Sequence, residues 1–473
     1  MFATRAFARG KRIHGTSHHL LSSALGNTLS SSSTTGPEAL PRIVQTNGVP
    51  IHLYSYDIEP AALQQLKILA ESPMPVEYIA SMPDAHLGKG VTIGTVFASE
   101  TYVCPNAVGV DIGCGMAAIP IDNLYLSDLT DAHKSSIQQK IKERVPTGFN
   151  QHRSTLPHAR EVLDGITGED APPSPWLLQQ LTLPRVTDQL GTLGGGNHFI
   201  EIVQEEHSQQ IWAMLHSGSR NIGNRTAMHY DKIAERRLQQ LGVNTRALNG
   251  LNYLTIASEE GQHYLQDMTW CQHYAFHNRR VMQELVLDVV REVTGHEADI
   301  HNAVNIHHNY CACEDCGNGQ QLWVTRKGAT SAKAGEMGII PGSMGTGSYI
   351  TRGRGNRAGW SSSSHGAGRR MSRTQAHAKI PQAAFEEAMA GITCDTHPSV
   401  KDEAPMAYKD LVEVMRHQES LTEIVYRLLP VINVKGYEEK LPKRYRDAKS
   451  NKRNNSKKNQ QHRKKKSSKV KTQ

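Results

Sequence analysis

Apolar residues recur along this chain in two rhythms. Short segments dense in β-branched or large apolar side chains lie at 91–98 (VTIGTVFA), 198–204 (HFIEIVQ), 211–215 (IWAML) and 321–326 (QLWVTR), and they predict strands. Helical spacing predicts helices over about 128–145, 224–241 and 262–294. Gly242 and Gly295 follow the last two, where a residue able to turn left-handed closes a helix. A further helix pair is expected across 382–392 and 409–428. Strands and helices alternate without the regular rhythm of a parallel βαβ fold, and no period of 20–50 residues marks a solenoid. The expectation is an α+β fold, one large domain of mixed β-sheets flanked by helices.

Composition narrows the class. The 473 residues are 38% apolar, and no uninterrupted apolar run reaches the ~18 residues of a membrane helix, so no membrane partner is expected. Seven cysteines, an odd number in a long chain, argue for reduced thiols instead of a disulfide scaffold. The net charge of +8 conceals a division. Residues 1–37 carry Arg5, Arg9, Lys11 and Arg12 and no acid, which gives +4. Residues 440–473 hold 15 Lys and Arg against Asp447 alone, which gives +14. Subtracting both ends leaves −10 for residues 38–439. The chain is an acidic body, expected over 38–436, between two basic ends.

The first 37 residues are rich in arginine and serine, with Phe2, Phe7 and Ile13 as apolar-face positions. That is the composition of an organellar transit peptide, for a mitochondrion or plastid; the alternative is an untargeted extension. The 437–473 tail, with Lys464, Lys465 and Lys466 in a row, is expected to be disordered. It would bind polyanions, mark a nuclear or cytoplasmic pool, or simply aid solubility.

Histidine is over-represented, with 24 residues against 7 phenylalanines and 15 tyrosines, and many sit in glycine-flanked loops. The segments are MPDAHLGKG at 82–90, VGVDIGCG at 108–115, GGGNHFIE at 194–201, LHSGSRN at 215–221, NIHHNY at 305–310 and SHGAGR at 364–369. The last follows IIPGSMGTGSY at 339–349. Each sets a ligand-capable side chain beside glycines that admit close backbone approach. Asp111, Cys114, His198, His216 and His308 form a mixed oxygen, sulfur and nitrogen set suited to a divalent transition metal, and ligand softness alone would point to zinc. Any one of these histidines alone would read as an ordinary structural residue; the case is the recurrence. PGSMGTGS would cradle phosphate through backbone N–H groups, or be an ordinary tight loop. CACEDC at 311–316 lacks the fourth ligand of a structural zinc site, and His273 with His277 reads as a surface or interhelical pair.

Taken in order, MPDAHLGKG, VGVDIGCGM, GGGNHFIE, LHSGSR, NIHHN, RKGAT, IIPGSMGT, SHGAGR and a terminal VKG resemble the RtcB family of RNA ligases, from about Ile43 to Gly436. That resemblance implies an enzyme using GTP and two Mn²⁺ ions. His365 resembles the nucleophile that holds GMP as a phosphoramidate. Cys114 resembles the thiolate bridging both ions, with Asp111 and His198 completing one and His216 and His308 the other. Asn197 resembles a phosphate contact, while Glu201 and Lys435 resemble guanine readers. Ser343, Ser348, Ala367, Gly368 and Tyr408 fall at further nucleotide-contact positions. Asp84 matches an acid needed for activity, and Arg220 a cation for RNA phosphate. Asn221 stands where many members have glycine, and Ser363 where cysteine is common; neither removes a required group.

The implied reaction joins an RNA 3′-phosphate or 2′,3′-cyclic phosphate to a 5′-hydroxyl, in tRNA splicing or RNA repair. The implied partners are RNA ends, GTP and, as in some relatives, an accessory activator protein. Two alternatives stay open. One is a cyclic phosphodiesterase or 3′-end guanylyl-capping enzyme using the same site. The other is a non-catalytic RNA-binding descendant, against which retention of His365 and Cys114 argues.

Overall fold

Each of the four apolar segments expected to be extended forms a strand, and they fall into two large sheets. The computed structural model describes residues 39–168, 172–317 and 319–436. The transit-peptide and basic-tail expectations therefore lie outside the described residues. One sheet has the order Arg42–Val44, Ile51–Leu53, Val76–His86, Ile93–Ser99, Gln321–Lys327, Asn309–Asp315. The other has the order Val304–His307, Gly115–Tyr125, Gln210–Ser217, Phe199–Glu205, Thr422–Lys435, Ser348–Gly353, Met337–Pro341. Every neighbouring pair in this second sheet is antiparallel. With helices against these sheets, the architecture is the α+β domain that the alternation implied.

The three long helices run at Asp131–Arg144, Arg220–Gln240 and Glu259–Thr294. The last begins where Ser258 accepts the Gly261 N–H, carries Glu259 and Glu260 in its first turn, and ends at Gly295 with φ +77°. At 36 residues it is about 54 Å long. Its C-terminal half packs Met282, Val286, Val289 and Val290 with Ile137 and Ile141 against Ile200, Ile202, Leu215, Ile432 and Val434 of the second sheet. The sheet's other face buries Met116, Val203, Met214, Ile339, Ile350 and Leu428. Both faces are thus covered, so the site must open at the strand ends. No described helix is long and apolar enough to cross a membrane.

The helix expected over 409–428 is corrected. Only Leu411–Arg416 is helical, and Thr422–Lys435 is a fourteen-residue strand inside the second sheet. Leu411, Val414 and Met415 supplied helical spacing, but Ile424, Val425, Val431, Ile432 and Val434 are β-branched and favour a pleated surface. Pro430 would break a helix interior; here it sits where the register shifts between Pro430 and Ile432. The partner segment at 382–392 is helical over Gln382–Ala388.

Candidate active site

Antiparallel pairing brings five strand ends together. Gly115 pairs with Ser217 and His307, Phe199 pairs with His216, and Lys435 pairs with Phe199. Cys114, His198 and His308 are the residues immediately outside three of those strands. His308 also makes the crossing from the second sheet to the first, between Val304–His307 and Asn309–Asp315. Residues far apart in sequence meet because neighbouring strands of one sheet end together.

Their donor atoms form two triads that share Cys114: Asp111, Cys114 and His198, and Cys114, His216 and His308, each within 4.8 Å. The Cys114 Sγ lies 3.4 Å from His198 Nε2 and 3.2 Å from His216 Nε2. His198 Nε2 is 2.9 Å from Asp111 Oδ2, and His216 Nε2 is 3.3 Å from His308 Nε2. On their far sides, His198 Nδ1 faces the Leu193 carbonyl at 2.9 Å and His216 Nδ1 the Asn197 carbonyl at 3.2 Å. A carbonyl only accepts, so each Nδ1 carries the proton and each Nε2 turns a lone pair inward. Burial pushes the Cys114 thiol well up, and the Asp111 carboxylate adds to the effect. Burial likewise holds His216 and His308 well below the ordinary histidine range, hence neutral. Converging lone pairs around a buried thiol are costly without positive charge between them. The donor set fits divalent cations.

His365 follows the short strand Ser362–Ser364, and Asp84 lies in Val76–His86, fully buried. The Asp84 Oδ2 atom accepts from His365 Nδ1 at 2.6 Å and from the backbone N–H groups of His365 and Gly366. Gly368, at φ +72°, allows this approach: a Cβ there would meet the Asp84 carbonyl at 2.1 Å. The His365 ring lies edge-on to His308, with centroids 4.9 Å apart.

Three cavities meet around these groups. One, of about 280 Å³, is lined by His365 together with Asn197, Glu201, Ser343, Ser348, Ala367, Gly368, Tyr408 and Lys435. All eight residues expected at nucleotide-contact positions thus share a wall with the expected nucleophile. A second, of about 220 Å³, is lined by Asp111, Cys114, His308, Lys327 and again His365 and Asn197. A third, of about 800 Å³, is lined by Asp111, His198 and Arg220 with Arg185 and Arg373.

Charge in the first cavity is ordered by burial. Burial pushes the Glu201 carboxyl up to about 7, against the hydrogen bond from Asn433 and the charge of Lys435. Lys435 Nζ pairs with Glu403 at 3.2 Å and reaches the His198 carbonyl at 3.3 Å. Tyr408 donates to Glu403 at 2.6 Å, and Arg369 donates to the Tyr408 oxygen at 2.9 Å. In the third cavity, Arg220 donates to Thr192 and to the Gly148 carbonyl, both at 3.0 Å. Its φ of +58° is unusual for a side-chain-bearing residue and turns the chain into the helix it begins. Gly194 makes room for it, since a Cβ there would meet its guanidinium at 2.0 Å.

Sequence reasoning missed Glu403, Asn433, Asn278 and Arg279. Arg279 is fully buried, and its guanidinium donates to Gly113 O at 2.8 Å and Ser217 O at 3.0 Å, which adjoin Cys114 and His216 of the two triads. A signal was present: Asn278 and Arg279 interrupt the apolar stripe of Tyr264, Met268, Cys271, Ala275, Met282 and Val286. The cysteines of CACEDC do not join the site. Cys311 is buried and Cys313 exposed on the edge strand Asn309–Asp315, with Cys316 in the turn beyond it, and among the described residues none belongs to a metal-capable cluster.

Residues 65–436 match the model of one family, tRNA-splicing ligase RtcB. The chain is 39% identical over 414 residues to the RNA-splicing ligase RtcB of Escherichia coli K12, an alignment covering 84% of this chain and 98% of that one. It is 29% identical to the tRNA-splicing ligases RtcB of Nanoarchaeum equitans, over 82% of this chain and 95% of the relative, and of Pyrobaculum aerophilum, over 75% and 87%.

Proposed function

The chain belongs to the RtcB family and is an RNA-splicing ligase, and we propose that it joins an RNA 3′-phosphate or 2′,3′-cyclic phosphate to a 5′-hydroxyl, using GTP and two Mn²⁺ ions. One observation carries this reading. His365 lines both the nucleotide-sized cavity and the cavity of Cys114 and His308, so one imidazole can receive a nucleotide on one side and pass it on at the other.

The chain's own residues supply the steps. Asp84 accepts a hydrogen bond from His365 Nδ1–H, which leaves the Nε2 lone pair free to attack the α-phosphorus of GTP. A nitrogen–phosphorus bond forms as the bond to the β-phosphate oxygen breaks and pyrophosphate leaves. Glu201 accepts from guanine N1–H and the 2-amino group, and Lys435 donates to O6. This readout rejects adenine by leaving buried polar groups unmatched. Asn197, Ser343, Ser348 and Tyr408, with the backbone at Ala367 and Gly368, offer donors along the rest of the nucleotide. Asp111, Cys114 and His198 would hold one ion, and Cys114, His216 and His308 the other; the ions would offset triphosphate and RNA phosphate charge. Arg220 holds the RNA 3′-phosphate, generated by hydrolysis where the end is cyclic. An oxygen of that phosphate takes GMP from His365, restoring the imidazole. The 5′-hydroxyl then attacks the activated phosphorus, forming the phosphodiester and expelling GMP.

Incubation with α-labelled GTP and Mn²⁺ should label the parent protein covalently and leave His365→Ala unlabelled. No label on the parent sinks the mechanism. Joined product from 3′-phosphate and 5′-hydroxyl RNAs separates ligation from capping alone. An organellar destination, mitochondrion or plastid, belongs to the same reading. It rests on the composition of residues 1–37, and fusing them to a fluorescent reporter tests it.

A further inference from the structure

Phe149 is 86% exposed, the highest value among the large apolar side chains described. It lies on the wall of the 800 Å³ cavity that also holds Asp111, His198, Arg185, Arg220 and Arg373. Scattered exposed apolar residues need no explanation. An exposed aromatic ring at the mouth of a cavity rich in arginine, opening onto two metal-capable side chains, is a different case.

The backbone beneath Phe149 is fixed. Thr147 to Asn150 form a tight turn, with Asn150 N–H donating to Thr147 O at 3.1 Å and Gly148 at φ +64°. Gly148 N–H donates to Gly194 O at 2.7 Å, and Arg220 donates to the Gly148 carbonyl at 3.0 Å. The ring is therefore displayed by the same short segment that holds the arginine in place. Among the described residues it has no apolar cover, so their packing does not account for a phenylalanine at this position.

Single-stranded nucleic acid is the ligand this combination suits. Its bases are apolar plates that stack on aromatic rings, and its phosphates are read by arginine. Resting on the proposed ligase reading, we infer that Phe149 is the stacking platform for the terminal base of the RNA strand that carries the 3′-phosphate. The choice of strand follows from Arg220. The guanidinium assigned to that phosphate is hydrogen-bonded to the residue next to Phe149, and a terminal base lies within one nucleotide of its own phosphate. Phe149 is accordingly a positioning residue for the transfer of GMP to RNA. It does not line the cavity in which His365 would be charged.

The test uses the full chain, charged on His365 with labelled GMP, and follows single-turnover transfer to 3′-phosphate RNAs. Each RNA ends in an ordinary or an abasic nucleotide. Phe149→Ala should raise the half-saturating RNA concentration about ten- to a hundredfold with little change in the maximal rate, and Phe149→Trp should restore it. The abasic end should cost the parent a similar factor and cost Phe149→Ala nothing more. Charging of His365 in the variant controls for folding. Equal half-saturation in parent and Phe149→Ala, or losses that multiply when variant and abasic RNA are combined, would overturn the inference. If the parent forms no His365–GMP, the ligase reading fails by itself. The stacking claim is then decided by binding: 2-aminopurine at the 3′ end should be quenched by the parent and not by Phe149→Ala, and equal quenching overturns it.

Discussion

His365 Nδ1 stands 2.6 Å from Asp84 Oδ2, and the same oxygen accepts two backbone N–H groups from the loop that carries His365. The carboxylate therefore sets both the tautomer and the position of the imidazole. Asp84→Asn can present an N–H where an acceptor is needed, which would move the proton to Nε2 and occupy the nucleophilic lone pair. Covalent labelling by GTP should fall on the order of a hundred- to ten-thousandfold, with nucleotide affinity much less affected. Rapid-quench labelling across GTP concentrations separates the two; a fall confined to affinity would count against the tautomer argument.

Cys114 is the one donor common to both triads. In the proposed two-ion site, removing it should damage both metal positions, whereas removing His308 should damage one. Titration calorimetry with Mn²⁺ should show Cys114→Ala weakened at least about a hundredfold at both sites. His308→Ala should retain one site of near-parental affinity. Equal stoichiometry in the two variants would contradict a shared thiolate.

Much of this site was legible as chemistry and little of it as geometry. The glycines around Asp84, Cys114, His198 and His365 mark places where backbone must pass close to something, and such marks survive in a linear reading. Gly368 against the Asp84 carbonyl and Gly194 against Arg220 are the physical causes. Composition and spacing did not reveal the convergence, because the Cys114 contacts span 84 and 102 residues and are made by pairing of strands whose ends meet; only the family resemblance grouped these residues beforehand. Glu403 was missed for a related reason: it sits in a short 3₁₀ segment with no periodic pattern, and only the fold puts Lys435 beside it. The strand Thr422–Lys435 was obscured because helical spacing in Leu411–Arg416 runs directly into it.

Glu201 gives the site a pH dependence whose sign differs between folding and binding. Burial raises its carboxyl from 4.5 to about 7, so between those values the folded chain holds a proton that the unfolded chain has lost. Its contribution to stability is present below 4.5 and is lost as pH rises through about 7. In the proposed readout, the ionised carboxylate accepts two N–H groups of guanine. GTP affinity should therefore rise with pH, by up to about tenfold per unit below pH 7, with proton release on binding. Calorimetry in buffers of different ionisation enthalpy reads the proton directly. Glu201→Gln should bind more weakly and flatten the profile, and an unchanged slope in that variant would assign the titration to another group.

Arg279 tests whether the metal ligands depend on a residue that touches none of the reacting atoms. Its guanidinium donates to Gly113 O, Ser217 O and Asn305 Oδ1 at 2.8, 3.0 and 2.7 Å, and comes within 3.1 Å of His307 Nδ1. Gly113 adjoins Cys114 and Ser217 adjoins His216, so one buried fork ties together the backbone beside two of the donor residues, and it meets the side chain of His307, which adjoins a third, His308. Burial pulls its pKa down to about 10, which still leaves it charged near neutrality. Lysine would keep the charge but cannot satisfy acceptors spread along a planar fork. At least two should be left bare, at about 1–3 kcal/mol each. Arg279→Lys should therefore unfold at lower temperature and also bind Mn²⁺ at least about tenfold more weakly, with all five ligands intact. Arg279→Met separates the contributions. It removes the buried charge as well as the hydrogen bonds, so it should recover part of the stability without recovering metal affinity. Parental metal affinity in both variants would make Arg279 a packing residue and place the organisation of the ligands in the strand pairing alone.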